Sequence, residues 1–130
     1  MINRKTIWKA LFLVYALALL ILALIPLDSQ RLPLAIEGED KLGHFLQFFF
    51  FFLFAVRALP ARGLIAALIV TVSYGTVLEL LQFVSPTRMI SFADWLANIG
   101  GGAGGLLAIG VFSLWKRKDR GIIDADLKQR

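Results

Sequence analysis

The stretch Asp40-Lys41-Leu42-Gly43-His44-Phe45-Leu46-Gln47 leads directly into five consecutive phenylalanines, Phe48 to Phe52. It places two charges, the only histidine of the chain and a glutamine at the mouth of an apolar run. Asp40, His44 and Gln47 follow the i, i+4, i+7 spacing of one helical face. Phenylalanine and valine favour strands in water, but a strand pattern alternates apolar and polar residues, and no such alternation is present. The segment therefore reads as a helix with a polar mouth.

The rest of the chain agrees. Of its 130 residues, 58% are hydrophobic and only 18% charged, with a mean hydropathy of +0.76. A soluble domain of this size carries more charge. The apolar residues fall into four blocks, at about 7–25, 42–58, 63–84 and 92–115. A helix rises about 1.5 Å per residue, so about 20 residues cross a hydrocarbon core about 30 Å thick. Blocks one, three and four reach that length. Block two does so if its polar start lies among the headgroups. Lipid offers the backbone no hydrogen-bond partners, which leaves helices as the spanning form. The expected fold is all-α: one domain over 1–130, four transmembrane helices in one bundle and a tail at 116–130.

Lysine and arginine set the expected orientation. Arg4, Lys5, Lys9, Arg57, Arg62, Lys116, Arg117, Lys118, Arg120, Lys128 and Arg130 all fall on one side of the four blocks, whereas Arg31, Lys41 and Arg88 fall on the other. The positive-inside rule then puts both termini in the cytoplasm. The first outer loop is acidic, with Asp28, Glu37, Glu39 and Asp40 against Arg31. Arg4 and Lys5 ahead of an apolar run also resemble a secretory signal. The run is long for one and no Ala-x-Ala site follows, so the expectation is an uncleaved first helix. The net charge of +5 is thus an orientation signal with a solvated tail, and no nucleic-acid partner is expected. With no cysteine, neither disulfides nor thiolate chemistry arise.

With that orientation, the polar residues gather at the outer end. Lys41, His44 and Gln47 enter block two there. Glu79 and Gln82, i and i+3, lie near the outer end of block three, with Gly75 one turn before. Arg88 is in the short outer loop. Asp94, Asn98, Gly101 and Gly105 form an i, i+4, i+7, i+11 stripe opening block four. Polar faces in a bundle turn inward or toward water. Glu79 lies about 8 Å inside its helix end, where an exposed carboxylate would cost up to about 2.5–3.5 kcal/mol. Pairing with Arg88, Lys41 or His44, or protonation, would offset that cost. The bland alternative is that these groups only cap and glue helices, with Asp40 or Asp94 at an N-terminus complementing the helix dipole.

Several chemistries can be weighed on residue types alone. The run Gly100-Gly-Gly-Ala-Gly-Gly105 lacks the Gly-Lys-Ser/Thr and preceding strand of a phosphate loop. It reads as close helix packing. One histidine without cysteine makes a zinc site unusual. A Mg²⁺ or Ca²⁺ site would have to draw on Asp40, Glu79 and Asp94, and no metal or cofactor is assigned. Ser85 and Ser91 have no nucleophile motif around them. His44 with Glu79 or Asp94 is the candidate acid/base set.

Asp-Lys-x-x-His (Asp40, Lys41, His44), Gly-x-x-x-Glu-x-x-Gln (Gly75, Glu79, Gln82), Arg88 and Asp-x-x-x-Asn-x-x-Gly (Asp94, Asn98, Gly101) together resemble the VanZ-like family of small bacterial multi-pass membrane proteins. The resemblance covers about residues 40–105, and the first helix fits the usual layout. It implies a place in the bacterial cytoplasmic membrane and a link to teicoplanin resistance, a biochemical activity that is unsettled, and a functional centre at the motif residues. Phe48 stands where many relatives of that family have tyrosine, which removes a hydroxyl. The expected function is an outward-facing polar pocket for an envelope lipid, a lipid-linked precursor or a lipophilic glycopeptide. Asp40, Lys41, His44, Glu79, Gln82, Arg88, Asp94 and Asn98 would line it. The alternatives are a membrane enzyme using His44 and Glu79, and a purely structural protein. No oligomeric state is specified.

Overall fold

A computed structural model describes residues 3–25, 39–59, 63–82 and 91–127. They form four helices: α1 (Arg4–Leu24), α2 (Glu39–Ala58), α3 (Gly63–Gln82) and α4 (Phe92–Leu127). Each contains a segment long and apolar enough to cross a membrane. Three ends lie outside the apolar blocks: the starts of α1 and α2 and the finish of α4. α1 starts at Arg4 because the Asn3 side chain accepts the Lys5 backbone N–H at 3.1 Å, a capping bond that satisfies one otherwise orphaned donor. α4 runs on to Leu127 instead of stopping near Trp115. Extending a nucleated helix through Lys116–Arg120 costs little, because lysine and arginine are good helix formers.

Helix directions follow from the contacts. Trp8 meets Phe54, with ring centroids 6.2 Å apart, while Tyr15 donates to the Gln47 carbonyl at 3.1 Å, so α1 and α2 run oppositely. Glu79 meets Asn98 and Thr71 faces Gly102, so α3 and α4 also run oppositely. α2 and α4 run together: His44 meets Asn98, and Phe52 lies at Gly105. The bundle is up-down-up-down. α2 sits centrally against α1, α3 and α4. The starts of α2 and α4 share one end with the finishes of α1 and α3.

The α2–α4 interface, the most extensive, depends on glycine. A Cβ at Gly101 would collide with the Phe45 carbonyl and the Phe49 backbone nitrogen, and one at Gly105 would lie 2.7 Å from Phe52 Cδ1. Small residues thus let the two backbones approach, as in membrane bundles. Four of the five phenylalanines turn inward: Phe48, Phe51 and Phe52 are buried, Phe49 is half-buried and Phe50 is exposed. Phe51 stacks on Tyr74 at 4.8 Å and packs on Phe12 at 5.0 Å. Outward surfaces are apolar on every helix, including Leu13, Val14, Ile65, Ile69, Leu107 and Val111, whereas Thr71, Glu79, Gln82 and Asn98 are buried. Apolar outside with polar inside suits lipid as the solvent. At the start of α3, Gly63 takes φ +77°, a left-handed conformation that side chains disfavour.

Candidate functional site

The shared end of α2, α3 and α4 holds a connected polar cluster. Its centre is Asn98, 3% exposed. Asn98 Nδ2 donates to Glu79 Oε1 at 3.0 Å. Asn98 Oδ1 lies 3.0 Å from His44 Nδ1, and His44 Nδ1 is 3.7 Å from Glu79 Oε1. One amide therefore ties α2 to α3 through α4. Gly75 makes this approach feasible: a Cβ there would meet Phe48 Cε1 at 2.9 Å and Asn98 Cβ at 3.3 Å.

Exposure is graded along the cluster. Glu79, Gln82 and Asn98 are buried. The His44 and Asp94 side chains are 18% and 16% exposed, with His44 Nε2 4.0 Å from Asp94 Oδ2. Lys41 Nζ lies 4.0 Å from Asp94 Oδ1 and 3.1 Å from Asp40 Oδ2, and these two partners are about half exposed. The site is a polar cluster, buried at Asn98 and Glu79 and charged at its exposed edge. The rim pair Lys41–Asp40 contributes little to stability, since exposed ion pairs give about 0–1 kcal/mol. The buried hydrogen bond to Glu79 matters more, because bonds to charged groups contribute about 1.5–3 kcal/mol.

The amide's orientation fixes the direction of its bonds. With Glu79 ionised its oxygens only accept, so the atom facing it is the NH₂. Asn98 then offers its oxygen to His44, and Nδ1 must carry the donated proton. A histidine held in this way by one ring nitrogen presents the other, Nε2, as its reactive position.

Of the eight anticipated lining residues, the structure brings Lys41, His44, Glu79, Asp94 and Asn98 into one cluster. Gln82 lies one turn beyond Glu79 on the same buried face. Asp40 turns to Lys41, accepting from its backbone N–H at 2.9 Å, and stays at the surface. Arg88 lies outside the described residues. Asp94 lies in the first turn of α4, where its carboxylate complements the helix dipole, but the capping bond is not its own. That bond belongs to Ser91, whose Oγ accepts the Asp94 N–H at 3.3 Å and whose carbonyl accepts from Asp94 and Trp95, so the Asp94 carboxylate is left to face Lys41 and His44. Asp40, Glu79 and Asp94 do not assemble as a metal site: among the described residues, no three His, Asp or Glu side chains are placed to hold an ion. The stripe residue Gln47 contributes its backbone carbonyl to Tyr15. The glycine run lies wholly within α4 as a packing surface.

Residue types alone did not bring out the brace beside the cluster. Trp95 Nε1 donates to Thr76 Oγ1 at 3.0 Å, and Thr76 Oγ1 donates to the Val72 carbonyl at 2.9 Å. Thr76 is three residues before Glu79 and Trp95 three before Asn98; because α3 and α4 run oppositely, these equal offsets do not repeat one contact, and no spacing in the sequence marks the pair. Comparison with protein-family models, curated proteins and solved structures gives no match to this chain.

Proposed function

We propose that this chain is a multi-pass protein of the bacterial cytoplasmic membrane whose polar well holds the head of an envelope amphiphile. A lipid, a lipid-linked precursor and a lipophilic glycopeptide share the required form, a polar head on an apolar body. The observation that carries the reading is the Asn98 bridge between Glu79 and His44, buried at one end of an otherwise apolar bundle. A helix glue alone would need no rim of charged groups graded from Asp94 to Lys41. Intramembrane ionisable groups that face the bundle interior are costly and mark ligand or ion sites. The positive-inside distribution supports an outer-face position for the well, and the resemblance to VanZ-like proteins supports a role in the envelope and in glycopeptide susceptibility.

Glu79→Gln tests this. It keeps the shape and an acceptor for Asn98 while removing the charge. At equal abundance and unchanged thermal stability, it should abolish saturable binding of headgroup lipids and any glycopeptide-resistance phenotype. Full binding and phenotype in Glu79→Gln would overturn the reading.

A second reading rests on His44 itself. Held by Asn98 at Nδ1, with Nε2 toward Asp94, it has the posture of a general base. Turnover of a lipid-linked substrate by the purified chain, lost in His44→Ala, would favour an enzyme over a binder.

A further inference from the structure

Hydrogen-bond polarity runs one way through the well. Glu79 accepts from Asn98, and Asn98 accepts from His44 Nδ1. A neutral His44 is left with a lone pair on Nε2. That lone pair faces Asp94 Oδ2, a second acceptor, across 4.0 Å. Two acceptors so placed are joined by one group that donates twice. Among lipid headgroups, a hydroxyl donates once and a quaternary ammonium not at all, whereas a primary ammonium donates three times and can take the place of a doubly donating water. A nitrogen about 2.8 Å from each acceptor fits such a span.

Two further observations point to a donor-rich ligand. Asp94 Oδ1 is buried and accepts no hydrogen bond among the described residues. Lys41 Nζ is 4.0 Å from that oxygen and is held closer by Asp40, at 3.1 Å. Gln82, 5% exposed on the Glu79 face, carries an amide that offers both an acceptor and donors. At the rim, Lys41 is half exposed and can turn to an anion.

We propose that the well selects a primary-amine headgroup of the phosphoethanolamine type. The ammonium sits between Asp94 and His44 Nε2, and the phosphate lies at Lys41. The inference rests on the headgroup-binding reading and adds the ligand's chemical class. The ligand is then zwitterionic, and its cation enters first.

The test uses the full chain, purified in a neutral detergent and titrated with three lipids of identical acyl chains bearing ethanolamine, choline or glycerol headgroups. Binding is followed by native mass spectrometry. The ethanolamine lipid should bind about tenfold or more tighter than the choline lipid, the scale of one lost hydrogen bond to a charged group. Asp94→Asn should erase the preference and Asp94→Glu should keep it. Soluble phosphoethanolamine should compete weakly, since it lacks the apolar body, and competition equal to the lipid's would overturn the lipid assignment. Equal binding of all three lipids, reduced by Lys41→Ala, would overturn amine selection and leave headgroup binding standing. No saturable binding of any lipid would overturn both. The wild-type ethanolamine-to-choline ratio decides the matter even if an Asp94 variant does not fold.

Discussion

Asn98 donates its side-chain N–H to Glu79 at 3.0 Å from a position almost closed to solvent. The buried carboxylate thus has a fixed donor supplied by a neighbouring helix. Asn98→Leu removes that donor and the acceptor facing His44 together. It should lower stability in detergent by about 2–3 kcal/mol, the scale of a lost hydrogen bond to a charged group plus an uncompensated polar group. Thermal or denaturant unfolding, with Asn98→Gln as a milder companion, measures this. A Leu variant as stable as the wild type would show that the bridge contributes nothing to folding.

Helix approach gives a sharper contrast. Gly101→Ala forces a methyl against the Phe45 and Phe49 backbones, whereas Cβ atoms at Gly43 and Gly110 would meet nothing within 4 Å. Gly101→Ala should destabilise by about 1–3 kcal/mol or more through overpacking. Gly110→Ala should be neutral or slightly stabilising, since alanine is the better helix former. Equal effects at both sites would contradict the α2–α4 contact.

The brace beside the well is open to a double-mutant cycle. Trp95→Phe and Thr76→Val each break the bond of Trp95 Nε1 to Thr76 Oγ1, and each should cost about 1 kcal/mol. The double variant should cost less than the sum of the singles, because both remove the same contact. Strict additivity would mean that the two side chains do not interact.

Orientation can be read chemically because the chain has no cysteine. A single cysteine at Asp40 should react with an impermeant maleimide in intact cells. One at Lys118 should react only after the membrane is opened. The reverse pattern would invert the topology and place the well in the cytoplasm.

Much of this architecture is legible in the sequence. Four apolar blocks announce four helices, and helical spacing puts His44, Glu79, Asp94 and Asn98 on inward faces at one end. Side-chain direction within the cluster is less legible. Asp40 shares the His44 stripe, yet it turns to its neighbour Lys41, because at the helix mouth water and a local cation compete with the bundle. Asp94 reads as a group at the start of α4 and does lie in its first turn, but the capping bond from Ser91 and the approach to His44 and Lys41 are not legible in its spacing. Trp95 and Thr76 sit in an apolar run, where a tryptophan equally suits a lipid interface; only the register between α3 and α4 pairs them. The helical stretch after Trp115 was hidden by its charge, which signals solvent exposure but does not oppose helix.

The single histidine of the chain allows the most direct test. A ¹⁵N spectrum of ring-labelled protein in bilayers reports which nitrogen of neutral His44 carries the proton and what meets the other. The account predicts a proton on Nδ1, held by Asn98. It also predicts an Nε2 signal that moves saturably when lipid with an ethanolamine headgroup replaces lipid with a choline headgroup. A proton on Nε2, with a signal indifferent to the headgroup in folded protein, would contradict it.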